Sequence, residues 1–178
     1  MALFLLLERS DILIPKDRFG AVASLVKEEL VSRYGYNCRI FLDGDFKTAK
    51  SAITTDLHIV LDMNKIVDMV DSIRCICHEY CHCLRAHQAE NDERLREFHE
   101  FYLNECLEYR DHEETELGFL VYRYSPLELD ARAFGESFGT VCTDHYFEVL
   151  SVSQLREAYA DGGARNLVQL VRQAFHLE

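Results

Sequence analysis

The sequence predicts an α+β domain in which a small β-sheet packs on one long helix, and three observations support this class. Apolar residues recur at helical spacing from about Lys16 to Tyr34. Two runs with strand-like composition follow, Asn37–Asp43 and Asp56–Asp62, and the first of them leads into an Asp-Gly turn. A second helical stripe then begins near Asn64 and continues for about 20 to 25 residues.

Local signals set the expected boundaries of these elements. Pro15 precedes the first helix and Gly35 ends it. The polar connection Asp45–Thr55 predicts a loop between the two strands. Asn64 predicts the N-cap of the second helix. His58 falls in the middle of a predicted strand, and we interpret it as a packing or surface residue.

The second half of the chain is predicted to be mainly helical. Residues 90–116 hold 11 acidic and 3 basic side chains, with apolar residues every three or four positions, which predicts an amphipathic helix with an acidic face. Leu117–Tyr124 predicts a short strand or tight loop. Ser125 and Pro126 open a further helix as its N-cap and first residue. The predicted tail consists of a helix over Ser153–Tyr159, a break at Gly162-Gly163 and a helix over Arg165–Phe175.

Composition places the chain among ordinary globular proteins, with 48% hydrophobic and 28% charged residues. We expect one domain over residues 1–178, with a core of about 16–140 and a helical tail of about 141–178. The net charge of -12 argues against direct nucleic-acid binding. No stretch approaches the ~20 apolar residues of a membrane span. The apolar opening Ala2–Leu7 is too short for a signal peptide and predicts a buried segment.

The seven cysteines favour thiols over a disulfide framework, because their number is odd and four of them crowd into one helix. Those four point in different directions around the helix, so they cannot converge on one metal ion. We interpret them as small packing residues of a cytoplasmic protein. The four are Cys75, Cys77, Cys81 and Cys83.

The strongest functional signal is the segment from His78 to His82, which has the form H-E-x-x-H. Residues four apart share one face of a helix, so His78 and His82 can ligate one metal ion. Glu79 projects about 100° away and can reach a water on that metal. Zinc lowers the pKa of its bound water to about 7, and a glutamate can take the proton as the water attacks a carbonyl. The segment therefore predicts a zinc site with Glu79 as general base.

Zinc needs a third protein ligand, and Glu128 is the favoured residue. It shares a helical stripe with Ala131 and Gly135, whose small side chains allow a close approach to the motif helix. The competing interpretation is a capping box, in which Glu128 bonds back to the backbone of Ser125.

Two other carboxylates remain rivals for this position. Asp130 lies about 200° around the same predicted helix from Glu128, and Glu105 lies on the acidic helix. His87 is turned about 140° from the face of the two histidines and is not expected to ligate the metal.

The segment Pro126–Phe134 adds a family resemblance to these motifs. Together with the preceding sheet and the H-E-x-x-H helix, it resembles the ImmA/IrrE group of compact gluzincin-type metallopeptidases. Residues 128–135 match the second signature of that group, close to E-x-[ED]-A-x-x-F-A, except that Gly135 replaces the last alanine. The resemblance covers roughly residues 16–140.

The resemblance implies a zincin-like fold in which His78, His82 and Glu128 bind Zn²⁺. It also implies that Glu79 is the general base and that the substrate is a specific regulatory protein. We therefore expect a cytoplasmic zinc metallopeptidase that acts on a peptide or protein. The alternative is a catalytically silent protein of the same fold that binds a partner through its acidic helix.

Two further elements of a peptidase are expected without a firm assignment. A residue must stabilise the oxyanion of the tetrahedral intermediate. An edge strand over Asp56–Asp62 would align the substrate by β-addition. The candidates for the first role are Tyr122, Tyr124, His112 and His145.

Overall fold

A computed structural model describes residues 18–47, 52–55, 57–66, 69–97, 99–100, 115–136 and 150–177. Within these ranges, helices dominate and one small sheet is present, so the predicted α+β class is confirmed. The N-terminal segment Ala2–Leu7 lies outside the described residues. No helix among the described residues is both long and apolar enough to cross a membrane.

The first helix, α1, runs over Phe19–Tyr34 and ends at the predicted residue, whereas Lys16 lies outside the described residues. Its apolar stripe is buried, with Val26 and Leu30 fully inaccessible to solvent. Gly35 ends the helix with a φ of 74°, a left-handed conformation that glycine adopts without steric cost. Its N–H donates to the carbonyl of Val31 at 2.8 Å.

Three strands form the sheet in the order β1-β3-β2, namely β1 (Arg39–Phe41), β2 (Ala52–Thr55) and β3 (His58–Leu61). β3 pairs in parallel with β1 and antiparallel with β2. The predicted loop over Asp45–Thr55 is therefore wrong at its end. The predicted edge strand over Asp56–Asp62 is also wrong, because β3 is the central strand. Polar residues next to β2 make its segment of the sequence resemble a loop. A strand of four residues is also too short to show a clear alternation of apolar and polar residues.

The motif helix, α2, runs over Met69–Asn91. The predicted N-cap at Asn64 is wrong, since that residue lies in a turn after β3 and its N–H donates to Oδ1 of Asp62 at 3.1 Å. Because α2 begins later than predicted, His78 and His82 lie in its middle and not in its second half. Two full turns of helix therefore flank the histidines on each side.

α1, the sheet and α2 enclose one hydrophobic cluster. On α2, Ile73, Ile76 and Tyr80 are fully buried in this cluster. The Tyr80 hydroxyl donates to the carbonyl of Tyr36 at 2.7 Å and lies 3.4 Å from the carbonyl of Leu30. This hydrogen bond ties the motif helix to the end of α1.

The contacts of the chain divide it into two compact units, Met1–Asn91 with Ala131–Val141, and Asp92–Asp130 with Cys142–Glu178. The second unit contains its own buried cluster. The single-domain organisation stays a prediction.

The second unit contains helix α3 over Glu116–Arg123, so the predicted strand or loop over Leu117–Tyr124 is wrong. Thr115 caps this helix by accepting a hydrogen bond from the N–H of Gly118 at 3.0 Å. The buried side chains repeat at helical spacing, but the exposed Phe119 obscures that period in the sequence. Those buried apolar residues are Leu120, Val121 and Tyr124.

The remaining helices follow the prediction. α4 spans Pro126–Glu136, and α5 spans Val152–Phe175. The predicted break in the tail is present, because Gly162 and Gly163 have non-helical backbone angles inside α5. Gly163 has a φ of 60°.

Replacing Tyr80 by phenylalanine tests the anchoring of the motif helix. We expect the free energy of unfolding in urea to fall by about 1–2 kcal/mol, because the partly buried carbonyl of Tyr36 loses its donor. Tyr34→Phe is the control: Tyr34 is 41% exposed, so a change below about 0.5 kcal/mol is expected. Equal effects of the two substitutions would show that the Tyr80 hydroxyl does not hold α2.

Candidate metal centre

The two histidines of the motif face each other on α2. Their Nε2 atoms are 3.2 Å apart, and the ring centroids are 4.8 Å apart with the ring planes at 82°. Both side chains are half-buried. One helical turn separates the two residues, so the backbone of α2 itself brings the two imidazoles together on one face of the helix.

Glu128 supplies a carboxylate from the first turn of α4, where it is 6% exposed. Ser125 accepts a hydrogen bond from the Glu128 N–H at 3.5 Å, so half of the predicted capping box is present. The N–H of Ser125 donates to the carbonyl of Tyr122 at 3.0 Å. The start of α4 is thus stabilised by Ser125 and by the backbone, and this fixes the position from which Glu128 projects.

His78, His82 and Glu128 each offer one ligand atom, and these atoms all lie within 4.8 Å of one another. This group can hold a metal ion. Asp130 lies outside the group, whereas Glu105 lies outside the described residues. The structure therefore brings together the three residues that the sequence favours.

Glu79, the predicted general base, is 9% exposed. Its Oε2 accepts a hydrogen bond from the hydroxyl of Thr54 on β2 at 2.6 Å. The sequence interpretation missed Thr54 because it assigned residues 45–55 to a loop. The β-branched run Ile53-Thr54-Thr55 is the signal that favours a strand there.

The four cysteines of α2 lie in the interior of the protein. All four are buried, and none of the described cysteines forms a disulfide, which confirms their interpretation as packing thiols. Burial raises the pKa of Cys77 to about 12. A hydrogen bond with Cys38 and burial raise the pKa of Cys83 well above its usual value. Burial thus disfavours the charged thiolate of Cys77, as expected for a packing residue.

Two other histidines lie against aromatic rings. The ring of His87 stacks on that of Tyr36, with centroids 4.4 Å apart, which confirms that it points away from the ligand pair. The ring of His58 lies 5.7 Å from that of Phe41 on the neighbouring strand. Neither residue belongs to the metal-ligating group.

Among the candidates for oxyanion stabilisation, Tyr124 is 1% exposed, and its ring lies 6.3 Å from that of Phe175 in the second cluster. This is a core position. Tyr122 is half-buried on α3, and His112 and His145 lie outside the described residues.

The predicted acidic helix is described only in its first part. Residues 93–97 are helical and exposed, and residues 101–114 lie outside the described ranges. An exposed, charged segment is in keeping with a solvated helix face.

No protein-family model, curated protein or solved structure matches the chain. The resemblance to the ImmA/IrrE group therefore stays a prediction that rests on the two sequence signatures. The metal-ligating group is independent of that resemblance, because it is a property of the positions of this chain's own side chains.

Ligand substitutions test the metal centre. Zinc-loaded, desalted wild-type protein should retain about one zinc per chain by elemental analysis. His82→Ala and Glu128→Ala should weaken zinc binding by more than the 10- to 100-fold that loss of an outer-shell partner typically costs. Asp130→Ala and Glu105→Ala are the matched controls and should keep zinc. Retention by Glu128→Ala together with loss by Glu105→Ala would assign the third ligand to Glu105.

Proposed function

We propose that this protein is a zinc metallopeptidase that hydrolyses a peptide bond in a specific protein, with His78, His82 and Glu128 as ligands and Glu79 as general base. The observation that carries this proposal is the convergence of three ligand atoms, from a two-histidine helix and a separate carboxylate, within 4.8 Å. Two histidines and one glutamate form a ligand set of known catalytic zinc sites.

The spacing of the histidines fits zinc. Nitrogen ligands bind zinc at about 2.0–2.1 Å, so two of them in tetrahedral geometry lie about 3.3 Å apart. The Nε2 atoms of His78 and His82 are 3.2 Å apart. Three protein ligands leave the fourth position open, which is the arrangement of a catalytic site and not of a structural one.

Zinc held there would act as a Lewis acid that polarises the scissile carbonyl and makes a water nucleophilic near neutral pH. Glu79 follows His78 directly on α2 and is not itself a member of the ligand group. Its carboxylate accepts a proton from the attacking water and then delivers it to the nitrogen of the leaving amine. One side chain thus performs both proton transfers.

The sheet offers a surface for an extended substrate. β2 is one of the two edge strands of the described sheet, and its Thr54 contacts α2 at Glu79. A peptide paired with the outer edge of β2 would run beside the motif helix. The strand that aligns the substrate in this proposal is therefore β2, because β3 is central in the sheet. A zincin-like fold related to the ImmA/IrrE group belongs to the same proposal.

The described cysteines support a cytoplasmic location. Cys38 and Cys83 are both buried and free of disulfide bonds. Thiols persist in compartments that glutathione and thioredoxin keep reduced. We therefore propose that the protein acts on a cytoplasmic protein or peptide.

Glu79→Gln tests the proposed reaction. The zinc-loaded proteins are incubated with a peptide library prepared from a bacterial lysate, and new peptide termini are identified by mass spectrometry. The wild type should generate them, and the variant should be slower by about 10²- to 10⁴-fold, because it lacks the proton acceptor. Zinc content should be unchanged.

Glu90→Gln serves as the control, since Glu90 is an exposed carboxylate on the same helix. Equal cleavage by the Glu79→Gln variant and the wild type would show that Glu79 is not the base. A zinc-loaded wild type that cleaves no peptide of the library would favour the alternative, a binding protein that keeps the metal.

A further inference from the structure

Thr54 joins the edge of the sheet to the proposed general base. Its hydroxyl oxygen lies 2.6 Å from Oε2 of Glu79 and 3.1 Å from the backbone oxygen of the same residue. In the part of the chain that the structure describes, no other side chain hydrogen-bonds the Glu79 carboxylate.

The hydroxyl of Thr54 has a single proton to donate, and Cys83 is a hydrogen-bonding neighbour of Thr54 in addition to Glu79. A thiol sulfur is a weak acceptor, so the carboxylate is the favoured acceptor of that proton. The distance of 2.6 Å falls in the range of charge-assisted O–H···O⁻ hydrogen bonds, which are roughly twice as strong as neutral ones. The backbone oxygen of Glu79 is farther away. It lies inside helix α2, where a backbone carbonyl accepts the N–H of the residue four positions later. The proton of Thr54 is therefore directed at Oε2.

Strand β2 restricts the position of the Thr54 side chain. Thr54 lies on β2, which is hydrogen-bonded along its length to β3. A β-branched side chain has few χ1 rotamers, so its hydroxyl is held in place by the strand. A glutamate side chain, in contrast, has three rotatable bonds and loses substantial rotamer freedom when it is fixed. A hydrogen bond from a rigid donor reduces the orientations open to Glu79.

We propose that Thr54 is a positioning residue for the peptidase reaction: its hydroxyl holds Oε2 of Glu79 and leaves Oε1 to accept the proton of the attacking water. This inference rests on the proposed function. A base that is already oriented needs no rearrangement as the reaction begins, and such preorganisation acts on turnover more than on substrate binding.

Two substitutions distinguish the effect of the Thr54 hydroxyl from the effect of the side-chain shape. Thr54→Val keeps the branched side chain and removes the donor, whereas Thr54→Ser keeps the donor. With the fastest-cleaved peptide of the lysate-derived library as substrate, Thr54→Val should lower kcat by about 10- to 100-fold, the value of one hydrogen bond to a charged group. KM should change by less than about 2-fold and zinc content should be unchanged. Thr54→Ser should restore kcat to within about 3-fold of the wild type.

A second measurement is independent of any peptide. Acetohydroxamate chelates zinc and gives up a proton to a nearby base when it binds. Calorimetry with the zinc-loaded proteins should show an affinity about 5- to 10-fold weaker for Thr54→Val than for the wild type, with Thr54→Ser close to the wild type.

The outcomes distinguish this inference from the proposed function. If Glu79→Gln abolishes cleavage while Thr54→Val retains the kcat and the acetohydroxamate affinity of the wild type, Thr54 has no positioning role and the peptidase proposal stands. A loss of kcat in Thr54→Val that serine does not restore would also overturn the inference, since it would assign the effect to packing. Loss of zinc by Thr54→Val would do the same.

Discussion

The burial of one face of α2 is the constraint on which the site depends. Ile76 and Tyr80 are fully inaccessible to solvent, and the Tyr80 hydroxyl is bonded to the end of α1. His78 lies two residues from each of them, about 200° around the helix, so the same packing turns the histidine face outward. Rotation of α2 would expose apolar side chains, and this cost fixes the direction of the two imidazoles.

The third ligand depends on α4 in a similar way. The start of α4 is set by the Ser125 cap, and its later turns are anchored by Phe134, whose ring lies 4.9 Å from that of Tyr34. Ala131 is fully buried and Gly135 is buried, as expected for the small residues of a face that packs closely. Glu128 lies on that face, and its side chain is 6% exposed. Its carboxylate lies close enough to His78 and His82 for the three residues to bind one metal ion.

The errors of the sequence interpretation have specific physical causes. β2 was missed because a short edge strand needs only one buried face, and polar residues precede it on the chain. α3 was missed because an exposed aromatic residue, Phe119, fills the gap between buried positions and hides the helical period. The late start of α2 follows from Asp62, whose carboxylate accepts the N–H groups of both Phe46 and Asn64 and so stabilises a turn in place of a helix cap. In each case a local signal was overruled by packing or by a contact distant in sequence.

The sequence alone determined the elements whose information is local. Helical spacing places His78 and His82 on one face, Gly35 ends α1, and Ser125-Pro126 opens α4, because each depends only on neighbouring residues. Only the tertiary structure decided which carboxylate meets the histidines, because Glu128 lies 46 residues beyond His82. It also decided that Thr54 reaches Glu79, since side chains on a strand and a helix 25 residues apart meet only through the packing of the sheet on α2.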